Sequence, residues 1–271
     1  MRILSIDSAF GRALALLADV ALVSLCLTLT AVAVVPLGAG LAAGNFVVHQ
    51  LVREEGSRPW RTFWRAFRAS FTRATVGWLV WLALIGAGIY ELWLLNNAEV
   101  LGITAGDGNG IIAGALRVGI ISAFILLGMI ATWFFPIVGE VAMKEAAVKE
   151  RGAQEQLSPH AATVSPTPFA SAHAQVASVR PPATFLSLLR LSAVAALRFA
   201  PVSGLALALW CAPVVLGIFN PQVGASLVFF YIVFIPAFTL YLIALIADSQ
   251  LRQLVPSRGK KHASTAASDW K

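Results

Sequence analysis

The stretch from Arg53 to Arg73 reads REEGSRPWRTFWRAFRASFTR and holds six arginines and five large aromatics in 21 residues. Near-continuous apolar sequence flanks it, from Ala13 to Val52 on one side and from Ala74 to Tyr90 on the other. Further apolar blocks run from Val118 to Val138, Phe199 to Phe219 and Val223 to Ala247. A helix needs roughly 20 apolar residues to cross a bilayer core of about 30 Å. The chain is 58% apolar and only 12% charged, whereas soluble domains carry about 25% charged residues. The blocks do not alternate in the way barrel strands do. The expected fold class is therefore all-α, a polytopic transmembrane helical bundle.

Charge orients the bundle. The segment 53–73, the segment 140–198 and the tail after Asp248 are rich in Lys and Arg, while 91–117 carries one Arg and three acids. Cytoplasmic loops of membrane proteins are enriched in Lys and Arg. The pattern predicts about five spans, with the N-terminus outside and the C-terminus cytoplasmic. These are placed at about 14–40, 74–95 and 114–138 in a first membrane half (1–151), then 197–219 and 223–247 in a second (183–255). A hairpin near Pro36 is the alternative, giving six spans and a cytoplasmic N-terminus. Pro36, Pro136 and Pro236 each follow two bulky apolar residues and precede a stretch ending in charge. They predict long, proline-broken helices, since membrane bundles tolerate such breaks where neighbours cover the freed backbone groups.

Residues 152–182 are rich in Ala, Ser, Pro and Thr and predict a disordered cytoplasmic linker. Residues 256–271 predict a basic disordered tail. Arg2 and Arg12 before an apolar run raise a secretory signal, but apolar sequence continues past Ala31-Val-Ala33, so an uncleaved first span is expected. Cys26 and Cys211 both lie in apolar blocks and suggest no disulfide framework.

Within 53–73, Trp60, Phe63, Trp64, Phe67 and Phe71 recur at helical spacing on one face, and Arg61, Arg65 and Arg68 on another. That pattern predicts a cytoplasmic interfacial helix over 59–73, with Pro59 in its first turn. Its face is a candidate interface for a partner or for anionic lipids. Asp19, Glu91 and Arg117 form a candidate outer polar cluster, because charges in membrane segments tend to pair. Glu140 and Asp248 are placed in the cytoplasmic boundary. Gly40 and Gly44, with Gly38 and Ala42, allow close helix contact.

The net charge of +7 follows from topology, so no nucleic-acid partner is expected. There is no phosphate-binding loop, no His-Glu-x-x-His and no paired-Cys metal spacing. His49, His160, His173 and His262 are scattered, and Asp107-Gly-Asn-Gly110 has turn composition without a calcium loop's acids. No catalytic, cofactor-binding or metal residues are expected.

The stretch from Val34 through the glycine-rich run to Gly44, then Val47 to Glu55, then Thr62-Phe63 to Arg68, resembles the YesL family of bacterial membrane proteins. Phe134-Phe-Pro-Ile-Val-Gly-Glu140 is similar to that family's third-span ending, and Thr184-Phe185 to Arg190 to its lead into the fourth span. The stretch 152–182 departs as an insertion. The resemblance covers most of residues 10–250. It implies a bacterial inner-membrane protein of uncharacterised molecular function, of a kind often associated with carbohydrate uptake. It therefore implies an accessory role beside a membrane transport complex, with the bilayer as constant partner. The alternative is a small transporter acting alone, motivated by the proline-broken helices.

Overall fold

The computed structural model describes residues 9–54, 58–97, 109–157, 184–219 and 235–254. The described residues form helices and no strand. They are α1 (Ala9–Val32), α2 (Leu37–Val52), α3 (Pro59–Asn96), α4 (Asn109–Leu157), α5 (Phe185–Arg198), α6 (Ala200–Phe219) and α7 (Ile235–Leu254). Three helices are long and apolar enough to cross a membrane, or four if the bent pair α5–α6 counts as one span. Their apolar windows face outward, with only 6% of the α3 window and 17% of the α4 window buried inside the protein. A water-soluble helix would turn that surface inward, so these faces meet lipid. The expected helical membrane bundle is what forms.

The first apolar block departs from expectation. Instead of one kinked helix over 14–40, α1 stops at Val32 and the chain reverses through residues 33–36. Val34 takes a left-handed φ of 49°, which is strained for a β-branched residue. Pro36 has no N–H to continue the α1 ladder. The reversal lays α2 antiparallel on α1, with Gly40 opposite Thr30 and Gly44 opposite Leu27. Gly38 meets Ala74 and Trp78 of α3, and the Ala42 carbonyl meets Gly139 of α4. The small residues thus serve close packing, as their spacing predicts. The hairpin puts the beginning of α1 at the same end as Arg53, opposite to the five-span expectation.

A second departure concerns 59–73. This segment is the opening of one 38-residue helix, about 57 Å long at ~1.5 Å per residue. It runs collinear with the span that follows and cannot also lie in the membrane plane. Pro59 does stand at its first position. The other two prolines also behave differently from a common break. Pro136 lies inside α4, which continues on both sides. Pro236 falls in the first turn of the described part of α7. Moreover, α4 runs to Leu157, past the predicted start of the linker at 152. Residues 158–183 and the tail 256–271 lie outside the described residues.

The contacts set helix directions. Phe134 sits against Gly77, and Phe124 against Gly88, so α3 and α4 are antiparallel. Gly128 meets Leu207, and the Trp133 indole donates to Ser203 Oγ at 2.7 Å, which ties α6 to α4. Ser24 Oγ accepts from the Ala237 amide at 3.2 Å, joining α1 to the start of α7. Helices α2, α4 and α7 therefore run in one direction and α1, α3 and α6 in the other. The three that share a direction are the three that follow or contain Pro36, Pro136 and Pro236.

Candidate functional site

The parallel helices α2, α4 and α7 each carry a polar pair at i, i+4: His49 and Arg53, Glu140 and Lys144, Asp248 and Arg252. Four-residue spacing stacks each pair on one helix face. Packing brings the pairs together at the arginine-rich end. Arg53 Nη1 donates to Glu140 Oε1 at 2.6 Å and its Nε to Asp248 Oδ1 at 2.7 Å. His49 Nδ1 lies 3.2 Å from the same Oδ1, and Arg252 Nε donates to Asp248 Oδ2 at 2.7 Å. The ring fits this geometry when Nδ1 carries the proton. His49, Glu140 and Asp248 are all buried.

Arg53 caps the C-terminus of α2, where a cation complements the partial negative charge of the last carbonyls. Burial opposes its charge, yet Glu140 and Asp248 outweigh burial and raise its pKa. Asp248 accepts from three donors. The cluster thereby ties α2, α4 and α7 together. Among the described residues no group of three His, Cys, Asp or Glu side chains is placed to hold a metal.

Towards the other end lies a cavity of about 720 Å³, between α1, α2, α3, α4, α6 and α7. Most of its polar side chains, Trp210 aside, donate to backbone carbonyls. Thr28 donates to Ser24, Asn45 to Leu41 and Thr132 to Met129. Trp78 donates to Val34 in the α1–α2 turn, and Trp81 to Leu127 on α4. The rest of the wall is mostly carbon, so a polyhydroxylated solute would meet few free hydrogen-bonding groups there.

Helix α3 runs alongside α2, with Ala74 against Gly38 and Phe63 in one cluster with Val47 and Val48, and it pairs with α4 at the arginine-rich end. Arg73 pairs with Glu145 at 2.7 Å, and Arg65 pairs with Glu150 further out. A groove of about 770 Å³ runs between them, lined by Trp60, Arg61, Arg68 and Lys149 among others.

The sequence placed the aromatic stripe on the right helix face but gave it the wrong neighbour. Phe63 is fully buried against Val47, Val48 and Ala244, with Trp64 and Phe67 packed partly onto that cluster. These rings meet the protein's own helices rather than lipid. Trp60 and Phe71 remain exposed. Arg61 and Arg68 border the groove, while Arg65 is taken by Glu150.

The predicted outer cluster does not assemble. The α1–α2 register puts Asp19 at the arginine-rich end, whereas Glu91 and Arg117 lie near the opposite ends of α3 and α4, both exposed. The buried cluster itself was not foreseen, and Glu140 and Asp248 were placed in the boundary instead. The available signal was the i, i+4 polar pair on each of the three helices associated with the prolines.

These features define a multi-pass helical membrane protein with a buried ion-paired cluster and a charged groove between α3 and α4. Residues 17–103, which reach from α1 past the end of α3, match a family described as "Protein of unknown function, DUF624". No curated protein and no solved structure matches the chain.

Proposed function

We propose that this protein is a non-enzymatic accessory component of a membrane transport assembly, docking through the groove between α3 and α4. The observation that carries the reading is the groove itself. Two interhelical ion pairs clamp the two helices there and leave Trp60, Arg61 and Arg68 around an open surface. Tryptophan and arginine are the residues most often found at the centres of protein interfaces. A partner segment bearing acidic and apolar side chains complements that lining.

The excess of Arg and Lys at this end supports a cytoplasmic groove. In this reading, with α1 and α2 antiparallel, both ends of the described chain are cytoplasmic, and the resemblance supports a bacterial cell membrane. The resemblance to the YesL family supports a carbohydrate-uptake system as the setting. The carbon-walled cavity favours this reading over a lone sugar permease, because few of its lining groups are left to bind hydroxyls.

The test is co-purification in mild detergent with transport components of the same membrane. W60A/R61A/R68A should lose the partner while its thermal midpoint stays within about 2 °C of the parent, as expected for surface changes. Retention of every partner by the triple variant refutes the proposal. Sugar flux in proteoliposomes containing this chain alone would favour the permease instead.

A further inference from the structure

Helix α5 meets α6 at 97°. With α6 along the bilayer normal, a helix at that angle lies along the bilayer surface. The corner is built rather than loose. Pro201 stands at the second position of α6, where it withholds an N–H from the end of α5. Ser203 Oγ donates towards the carbonyls of Phe199 and Ala196 at 3.0 and 3.3 Å, and it accepts from the Trp133 indole.

Two opposite stripes divide α5. Leu188, Ser192, Ala195 and Ala196 are buried, in a core shared with Phe134, Ala247 and Leu251. Leu186, Arg190, Val194 and Leu197 follow one another at four, four and three residues and point away from that core. Leu186 is 70% exposed and Leu197 67%. An apolar stripe this open on a helix lying across the bundle has the form of an interfacial helix. Arg190 on this stripe and Arg198 beside it are exposed. Neither belongs to any ion pair among the described residues, in contrast to Arg65 and Arg73. Arg198 leans over the Phe199 ring, 5.6 Å from its centre. The two arginines are eight residues apart, about 12 Å along the helix. That spacing lets each meet a separate headgroup while the leucines enter the acyl region.

We propose that α5 is an in-plane membrane-surface helix that binds anionic lipid headgroups through Arg190 and Arg198. The interfacial role that the sequence suggested for 59–73 belongs to this helix, which sits beside the ion-paired cluster. Lipid charge would then bear on α5 and, through Trp133 and Leu188, on α4 and α7.

The experiment uses the full chain, with Cys211→Ser, in nanodiscs. A nitroxide on Leu197→Cys should show oxygen-favoured, water-reagent-poor accessibility, as at the headgroup–acyl boundary. The parent should retain phosphatidylglycerol over phosphatidylcholine in native mass spectra. R190Q/R198Q should lower that selectivity about tenfold or more, since each basic residue near an anionic surface contributes a several-fold preference. R190K/R198K should restore it. Free accessibility of position 197 to a water-soluble relaxation agent overturns the proposal. So does equal retention of the two lipids by the parent, or unchanged selectivity in R190Q/R198Q.

Discussion

Replacing Arg53 with Ala is the most informative perturbation of the fold. The guanidinium makes two short ion pairs, to Glu140 at 2.6 Å and Asp248 at 2.7 Å, among side chains only 13%, 6% and 10% exposed. Its removal leaves Asp248 with His49 and Arg252 but takes from Glu140 the guanidinium that neutralises it in the buried cluster. Breaking a buried pair by deleting one partner costs about 3–5 kcal/mol. The control is Arg65→Ala, whose pair with Glu150 is 48% and 59% exposed and should cost ~0–1 kcal/mol. R53A/E140A should cost less than the sum of its parts, with a coupling of about 1–3 kcal/mol, because removing both partners leaves no orphaned carboxylate on α4. The assay is unfolding in detergent micelles followed by the fluorescence of the eight tryptophans. Equal losses for Arg53→Ala and Arg65→Ala would contradict a load carried by the buried cluster, as would strict additivity in the double variant.

Other positions give independent checks by the same assay. Gly139→Ala drives a methyl onto the Ala42 carbonyl and should destabilise by about 1–3 kcal/mol, whereas Gly204→Ala meets open space and should be neutral or stabilising by up to ~1 kcal/mol. Phe63→Ala empties a fully buried site and should cost about 3–5 kcal/mol, several times the loss at the exposed Phe71. Val34→Gly relieves a left-handed backbone at a half-exposed position and should raise the unfolding midpoint, by the equivalent of about 1 kcal/mol. Ser203→Ala removes the acceptor of Trp133 and should cost about 1–3 kcal/mol for the buried donor left unpaired, with a broader α5–α6 distance distribution between spin labels.

How far the sequence could be read depends on which physical quantity each feature expresses. Composition and block length are sums over many residues, and they announced a helical membrane bundle. The glycine spacing likewise predicted close contacts, because a missing side chain acts locally. The Pro36 reversal was harder to read, since a proline after an apolar run fits either a kink or a turn. The choice fell to tertiary packing of Gly40 and Gly44 on α1. The aromatic stripe from Trp60 to Phe71 has helical spacing whether its neighbour is lipid or protein, so periodicity alone could not say which. The ion-paired cluster joins residues 87 to 199 positions apart. Each of its i, i+4 pairs taken alone looks like an ordinary polar helix end, and only the parallel run of α2, α4 and α7 makes one site of them.

The proposed function stands on the α3–α4 groove being a docking surface. Site-specific photocrosslinking in intact membranes checks this, with the reactive group at position 60, at position 68 and, as an outward-facing control, at Leu84 on the apolar part of α3. Protein adducts with a transport component are expected from positions 60 and 68, and lipid adducts alone from position 84. Only intrachain or lipid adducts at positions 60 and 68 would contradict it.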